Sequence, residues 1–165
     1  MKINISDEVL AEIGKITIMF SLIENSLAAI IGKIVTVGRL QHELGIIITA
    51  ELSFRQLIST LSSLLIFALG KDNDYVVQFK RVKPLLFKAE QERNMVVHSV
   101  WGAQSGSTEP HAIVRIKATA KHKKGLHIDF VNMKLEDLCR ITDLIGEAYK
   151  ELCLFELHFR ENGEA

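Results

Sequence analysis

The spacing of apolar residues is the feature that most constrains the fold of this chain, because it follows the period of an α-helix over most of the sequence. From residue 7 to about residue 36, apolar side chains recur at steps of three and four behind a helix-capping Ser6-Asp7. The same spacing returns in three further stretches, at about 41–69, 74–100 and 134–159. It predicts four long amphipathic helices joined by short connections.

Between the third and fourth predicted helices the period of the apolar residues changes from 3.6 to 2. Two alternating runs flank a lysine-rich turn, which predicts a β-hairpin over about 111–132. The predicted fold is therefore mainly α, one domain over 1–165: an antiparallel four-helix bundle with a β-hairpin inserted between helices 3 and 4. Because a lone hairpin is marginal in water, we expect its apolar side to lie on the helices or on a second copy.

Composition constrains the hydrophobic core, the kind of anion site and the redox compartment before any motif is considered. Hydrophobic residues make up 48% of the 165 residues, enough to form one full core. The 20 basic and 20 acidic residues cancel, so any anion site must be local. Cys139 and Cys153 are separated by about 21 Å along one predicted helix, which is too far for a disulfide and fits a reducing cytosol.

No segment predicts export or a membrane span. Asp7 and Glu8 stand where a signal peptide would carry apolar residues, and the uncharged run from Gln56 to Gly70 is shorter than the roughly 20 residues that a span needs. Phosphate-binding glycine loops, a zinc-protease motif and a nucleophile elbow are missing from the sequence. We therefore expect a soluble, cytoplasmic protein with no cofactor and no metal.

One polar cluster interrupts the apolar helices, near the end of the third. The stretch from Glu92 to Gly102 places a guanidinium, a carboxamide and an imidazole, those of Arg93, Asn94 and His98, among apolar side chains. Asn94 and His98 share a helix face, whereas Arg93 and His98 differ by about 140° around the helix axis. Arg93 must therefore reach round from another face to meet His98.

Two carboxylates are candidate partners for the basic side chains. Glu24 interrupts the apolar stripe of the first helix and needs a cation, for which Arg93 is a candidate. Glu51 and Arg55 stand four residues apart, in the favoured order for a local ion pair, while Arg55 could equally reach Glu24. The local pair is the simpler expectation.

Arg-Asn-x-x-x-His near the end of the third helix of a four-helix bundle resembles the HEPN superfamily. The resemblance implies a metal-independent endoribonuclease acting on single-stranded or looped RNA, often as a toxin or an antiviral effector. It also implies a homodimer that brings two motifs to one cleft, and it suggests a protein antitoxin as a partner. The hairpin departs from the minimal fold of that superfamily.

The resemblance also implies roles for individual residues. His98 would remove the proton of the 2′-hydroxyl, and Arg93 would stabilise negative charge on the phosphate, so that the products end in 2′,3′-cyclic phosphates. Asn94 would orient the imidazole or bind a phosphate oxygen, while Glu24 would hold Arg93. Apart from the resemblance, the chemistry of the side chains suggests that Trp101 stacks on a base and that Lys123 and Lys124 steer RNA phosphates.

Each of these residues also has a structural explanation. Arg93 can be a charge-paired arginine within the bundle, His98 can be favoured by the helix dipole, and Trp101 can be a packing residue. Two other functions therefore stay open: a non-catalytic helical interaction module, and a module that binds a nucleotide at the same cleft without cleaving RNA.

Overall fold

The chain folds into helices that pack around one hydrophobic core. A small antiparallel sheet lies at one end of the helices. A computed structural model describes residues 5–35, 41–103, 112–121 and 125–162. In these ranges the helices are α1 (Asp7–Val35), α2 (Gln41–Thr49), α3 (Phe54–Leu69), α4 (Asp74–Val97) and α5 (Leu135–Asn162). The strands β1 (Val100–Ala103), β2 (Ile113–Lys121) and β3 (Gly125–Met133) lie between α4 and α5 in the sequence. The mainly helical class is confirmed; the four-helix arrangement is not, because the described ranges contain five helices.

Helix α1 is the central element of the core. Ser6 Oγ accepts a hydrogen bond from the Val9 N–H, so the predicted start of the first helix is confirmed. The helix contacts each of the other four described helices. Its buried stripe is apolar at almost every turn and comprises Val9, Ile16, Phe20, Ile23, Leu27, Ile30 and Ile31. The other helices pack against this stripe, because their contact with it removes a long apolar surface from water.

Among the described helices, α1 is also long and apolar enough to cross a membrane by length and composition. The central helix of a folded core passes the same test. The feature therefore does not separate the two situations, and the cytoplasmic location stays a prediction.

The second predicted helix, 41–69, is two helices. Helix α2 ends at Thr49, whose Oγ1 donates to the Gly45 carbonyl oxygen at 2.6 Å. Ser53 then caps α3: its Oγ accepts from the Gln56 N–H, and the Gln56 side chain accepts from the Ser53 N–H. This reciprocal capping box begins a new helix inside a continuous helical pattern, so the prediction of a single helix was wrong.

Helix α2 approaches α1 with almost no space between the backbones. A β-carbon at position 45 would lie 2.7 Å from the carbonyl oxygen of Ala28 and 2.9 Å from the Cα of Gly32. Both distances are shorter than real β-carbons show. Gly45 therefore sets the spacing of the two helices, because only a residue without a side chain fits there.

Helix α4 differs from the third predicted helix in two details. Asn73 caps it by accepting a hydrogen bond from the Tyr75 N–H at 2.9 Å. Pro84 removes one backbone donor, so the sequence predicts a kink or a restart near Lys83; the helix continues through Pro84 without a restart. It ends at Val97, earlier than predicted, because the chain turns at His98 (φ −98°, ψ 27°) and continues as β1.

The described strands form one antiparallel sheet in the order β1-β2-β3. The predicted hairpin is confirmed as β2 and β3, and its register begins with Ile113 opposite Met133. Strand β1 was not predicted: the sequence predicts that the third helix runs to about residue 100 and that Gly102 ends it, whereas Gly102 pairs with Val114. Ile113 and Met133 are buried in the core. The helices therefore cover the end of the sheet where these two residues pair, on the face that carries their side chains.

The observed partner of Arg55 is neither of the two predicted ones. Its Nε donates to the Glu90 carboxylate on α4 at 3.0 Å. Glu51 lies in the turn between α2 and α3, so it does not stand one helical turn before Arg55. The local ion pair was therefore a wrong prediction, and the salt bridge that forms connects α3 to α4.

A buried carboxylate joins α1 to α5. Glu12 accepts a hydrogen bond from Thr142 Oγ1 at 2.7 Å and pairs with Lys15 Nζ at 2.6 Å. The hydrogen bond from Lys15, followed by that from Thr142, lowers the pKa of Glu12, although burial opposes the change. Burial raises the pKa of the nearby Cys139, which is free like Cys153, as predicted.

Glu12→Gln is expected to destabilise the protein by about 1 kcal/mol at neutral pH, because the amide cannot replace the charge-assisted hydrogen bonds. The pKa of the folded state lies below the usual value of 4.5, so this contribution is present above about pH 4.5 and is lost as the pH falls through the folded pKa. Urea unfolding at neutral and acidic pH tests this expectation. Glu147→Gln, at an exposed carboxylate on α5, is the control, and a pH-independent deficit in E12Q would contradict the prediction.

Candidate functional site

The predicted site lies where α4 ends and β1 begins. The His98 N–H donates to the Asn94 carbonyl oxygen at 3.2 Å, and Ser99 Oγ donates to the Met95 carbonyl oxygen at 2.6 Å. These bonds satisfy two carbonyl oxygens of the last helical turn, because no further helical residue follows to donate its N–H to them. The His98 side chain is consequently held at a turn, where it is exposed to solvent.

The Arg93 side chain lies against α1. Its guanidinium carbon is 4.5 Å from the centroid of the Phe20 ring, which is a cation–π contact. Its Nη1 donates to the Asn94 side-chain oxygen at 2.9 Å. The residue is half-buried, so one face of the guanidinium is packed and its position is fixed by the fold.

Glu24 stands on α1 one helical turn after Phe20 and is half-buried. Burial raises the pKa of its carboxyl group, and the positive charge of Arg93 opposes that rise. Arg93 thus acts on Glu24 through its charge, while the hydrogen bond of its guanidinium goes to Asn94. The effect of this charge on catalysis stays a prediction.

Asn94 is the link between the other two motif residues. It accepts the hydrogen bond of Arg93 with its side-chain oxygen and lies one turn before His98 on the same side of α4. Because the oxygen is engaged, the two hydrogens of the amide nitrogen are the groups that it can offer to a ligand. The end of α4 therefore presents a cation, an amide and an imidazole in sequence order, those of Arg93, Asn94 and His98.

Two clefts flank this part of α4. A cleft of about 470 Å³ is lined by residues that include Arg55, Lys88, Glu90, Asn94 and Lys117. A cleft of about 410 Å³ between α4, the sheet and α5 is lined by residues that include Lys88, Glu92, Arg115, Asn132 and Arg140. Of the three motif residues, Asn94 reaches one of these clefts, whereas Arg93 and His98 line neither in the described part of the chain.

Arg115 is a polar residue of the second cleft that sequence reasoning missed. Its Nη1 lies 3.5 Å from Ser99 Oγ, and its Nε is buried without a hydrogen-bond partner among the described residues. An unsatisfied donor of this kind is uncommon in a folded protein. A signal was present in the sequence, because Arg115 shares a strand face with the apolar Ile113.

The predicted RNA-contacting residues are described only in part. Trp101 is half-buried, and its indole nitrogen donates to the Val96 carbonyl oxygen at 2.9 Å, which ties β1 to the end of α4. Lys123 and Lys124 lie outside the described residues. No group of three or more His, Cys, Asp or Glu side chains in the described part of the chain could hold a metal ion.

The fold and the site together define a mainly helical protein with an Arg-Asn-x-x-x-His segment at a helix-to-sheet junction. The chain matches no protein-family model, no curated protein and no solved structure. The resemblance to the HEPN superfamily therefore stays a prediction that rests on the motif and on the order of the helices.

Proposed function

We propose that this protein is a HEPN-like, metal-independent endoribonuclease that cleaves single-stranded or looped RNA and leaves 2′,3′-cyclic phosphate ends. The observation that carries the proposal is the pair of hydrogen bonds that meet at Asn94, at the junction of α4 and β1. Arg93 donates to its side-chain oxygen, and the His98 N–H donates to its carbonyl oxygen. In this proposal α1, α3, α4 and α5 take the places of the four bundle helices, and α2 is an addition to them.

His98 is the proposed base. Its exposed imidazole takes the proton of the 2′-hydroxyl, and the 2′-oxygen attacks the adjacent phosphorus. The bond from phosphorus to the 5′-oxygen breaks, and the leaving oxygen takes a proton from water. The products are a 2′,3′-cyclic phosphate and a 5′-hydroxyl. An exposed turn suits this role, because a bulky RNA backbone can approach it.

Arg93 and Asn94 are proposed to stabilise the charge that develops on the phosphate oxygens. The Arg93 guanidinium is already positioned by Phe20, so little reorganisation accompanies the reaction. The Asn94 amide nitrogen would donate a second hydrogen bond to the phosphate. Glu24 would favour the position of Arg93 near α1 through its negative charge.

A homodimer is part of the proposal, because one chain presents Arg93 and His98 on different sides of α4, about 140° apart. A second copy would bring its own motif beside the first, so that RNA bound between the two copies contacts both motifs. Trp101 would contribute the face of its ring to an RNA base, since its N–H is engaged with Val96. Lys123 and Lys124 would steer phosphates toward the cleft.

The biological role that fits this activity is that of a cytoplasmic toxin or antiviral effector. An endoribonuclease of this kind damages cellular RNA, so the producing cell must restrain it. A protein antitoxin that covers the junction of α4 and β1 is the partner that this role requires.

The purified protein is expected to cleave single-stranded RNA in the presence of EDTA. His98→Ala and Arg93→Ala are each expected to lower the rate by about a hundredfold or more, since a general base or a charge-stabilising donor typically contributes that much. Mass spectrometry of the products should find cyclic phosphate ends.

His158→Ala is the matched control for His98→Ala. His158 neighbours Tyr75 and Gln78, at the opposite end of α4 from His98, about 34 Å away along the helix. H158A should retain the rate of the parent protein. Unchanged cleavage by both motif variants would exclude the proposed site.

A second candidate function is a non-catalytic interaction module, which the contacts of Arg93 also favour. Its stacking on Phe20 and its bond to Asn94 are the contacts that a purely structural arginine would make. An inert parent protein together with a loss of about 1–2 kcal/mol in Arg93→Ala would support this function. Nucleotide binding by calorimetry without RNA products would instead support a nucleotide-binding module at the cleft that Asn94 lines.

A further inference from the structure

The distal part of β3 is exposed on both faces of the sheet. Leu126 and Phe130 are 68% and 69% exposed on one face, where Ile128 is 45% exposed. On the other face the side chains of His127 and Asp129 are 72% and 46% exposed. The described helices therefore leave this part of the hairpin uncovered. A two-stranded ribbon is marginally stable by itself in water, so a further partner would stabilise it.

Strand β3 is also an edge strand of the described sheet. It pairs with β2 on one side, and its other side is the outer edge. Such an edge presents backbone N–H and C=O groups that can pair with another strand. The nine residues of β3, GLHIDFVNM, contain no lysine or proline, which are the residues that commonly protect an edge from pairing.

The sequence of β3 is complementary to itself. When a strand pairs antiparallel with its own copy about a twofold axis, residues equidistant from the centre face each other. Because side chains alternate between the two faces, a residue must stand at the centre. With Ile128 at the centre, Leu126 faces the partner subunit's Phe130, and His127 faces the partner subunit's Asp129.

The neighbouring registers lose this match. With Asp129 at the centre, the two carboxylates would face each other directly, which is destabilising. With His127 at the centre, two imidazoles would meet and Asp129 would face the partner subunit's Gly125, without a side chain to bind. The side chains along β3 therefore favour the register centred on Ile128, and they favour a second copy of this chain as the occupant of the edge.

We propose that β3 pairs antiparallel with β3 of a second copy, centred on Ile128, so that two three-stranded sheets become one of six strands. Within one chain His127 Nε2 already lies 2.8 Å from Asp129 Oδ1. In the pair, each His127 would turn from its own Asp129 to donate a hydrogen bond to the partner subunit's Asp129. The inference does not rest on the ribonuclease proposal, since α4 leads into β1, at the opposite edge of the sheet.

Charge reversal at the edge tests the proposal. In sedimentation velocity, Asp129→Lys should raise the dissociation constant of this contact by about tenfold or more, because a lysine then faces His127. The double variant H127D/D129K places an aspartate opposite the partner subunit's introduced lysine and should restore the association. Asp143→Lys, at an exposed carboxylate on α5, should leave the association of the two copies unchanged. A parent protein that stays monomeric at about 100 µM, a range in which weak specific contacts form, would overturn the proposal.

Ile128→Cys tests the register directly. Residues that face each other across an antiparallel pair have β-carbons about 4.5–5.5 Å apart, so the two introduced thiols should form a disulfide when diamide accepts their two electrons and two protons. In Leu126→Cys the two thiols would lie about 13 Å apart along the strands and should not cross-link. Because Cys139 and Cys153 are free, the parent protein is the second control.

A cross-link in L126C but not in I128C would refute the register. The outcome is separate from the ribonuclease test, since His98→Ala should lower the cleavage rate by about a hundredfold or more and leave the cross-link of Ile128→Cys intact.

Discussion

Phe155→Ala is expected to lower the free energy of unfolding by about 3–5 kcal/mol, the cost typical of removing a buried aromatic ring and leaving a cavity. Phe155 is fully buried on α5. Its ring centroid lies 5.3 Å from that of Phe79 on α4 and 6.2 Å from that of Phe159. Its loss therefore removes contacts within α5 and between α4 and α5. Urea unfolding at neutral pH gives the measurement.

Phe67→Ala is the matched control, because the same atoms are removed from a residue that is 90% exposed. Its effect should stay within about 0.5 kcal/mol, as for most surface substitutions. If the two variants lost similar free energy, Phe155 would not be a core residue, and the packing of α5 on α4 would need to be revised.

The helices were predictable where the apolar stripe alone decides the structure. Phe20, Leu27 and Phe155 belong to the apolar stripes that predict α1 and α5, and all three are buried. The break between α2 and α3 was missed although Ser53 and Gln56 have the spacing of a capping box. The stripe continues on both sides of the box, so periodicity gave no sign of two helices. Only local capping chemistry separates them.

Strand β1 could not be predicted from local sequence, because its four residues form a strand through pairing with β2, whose residues are distant in the chain. Its formation also explains why α4 ends early. Once Val100 pairs with Ile116, the chain must leave the helical path just after Val97. His98 thus moves from a predicted helical position to an exposed turn.

The candidate site was predictable to the extent that it depends on one helix. Asn94 and His98 share a side of α4 because they are one turn apart. The position of Arg93 over Phe20 depends on how α1 and α4 pack together, which helix periodicity does not specify. The same reason explains the salt bridge of Arg55 with Glu90, since it also crosses between helices.

The sheet has two faces with different partners, which bears on the expectation that its apolar side lies on the helices or on a second copy. The helices cover the face that carries Trp101, Ile113 and Met133. The opposite face, which includes Ile128 and Phe130, is left exposed. The proposed pairing of β3 brings a second copy to the edge of this face, where Leu126 would contact the partner subunit's Phe130 side by side.

Gly45→Ala is expected to destabilise the protein by about 3 kcal/mol, at the upper end of typical overpacking effects. The added methyl group would meet the Ala28 carbonyl oxygen and the Gly32 Cα, and these backbone atoms cannot turn aside as a side chain can. Helices α1 and α2 would have to separate. The loss should be visible as a lower midpoint in both urea and thermal unfolding.

Gly14→Ala is the control that makes this result specific to packing. Gly14 also lies within a helix, but a β-carbon there would have nothing within 4 Å. Alanine favours a helix over glycine by about 1 kcal/mol, so G14A should stabilise the protein while G45A destabilises it. Opposite signs for the same chemical change can arise only from the surroundings of the two positions. Stabilisation by both substitutions would show that α2 does not lie as close to α1 as Gly45 requires.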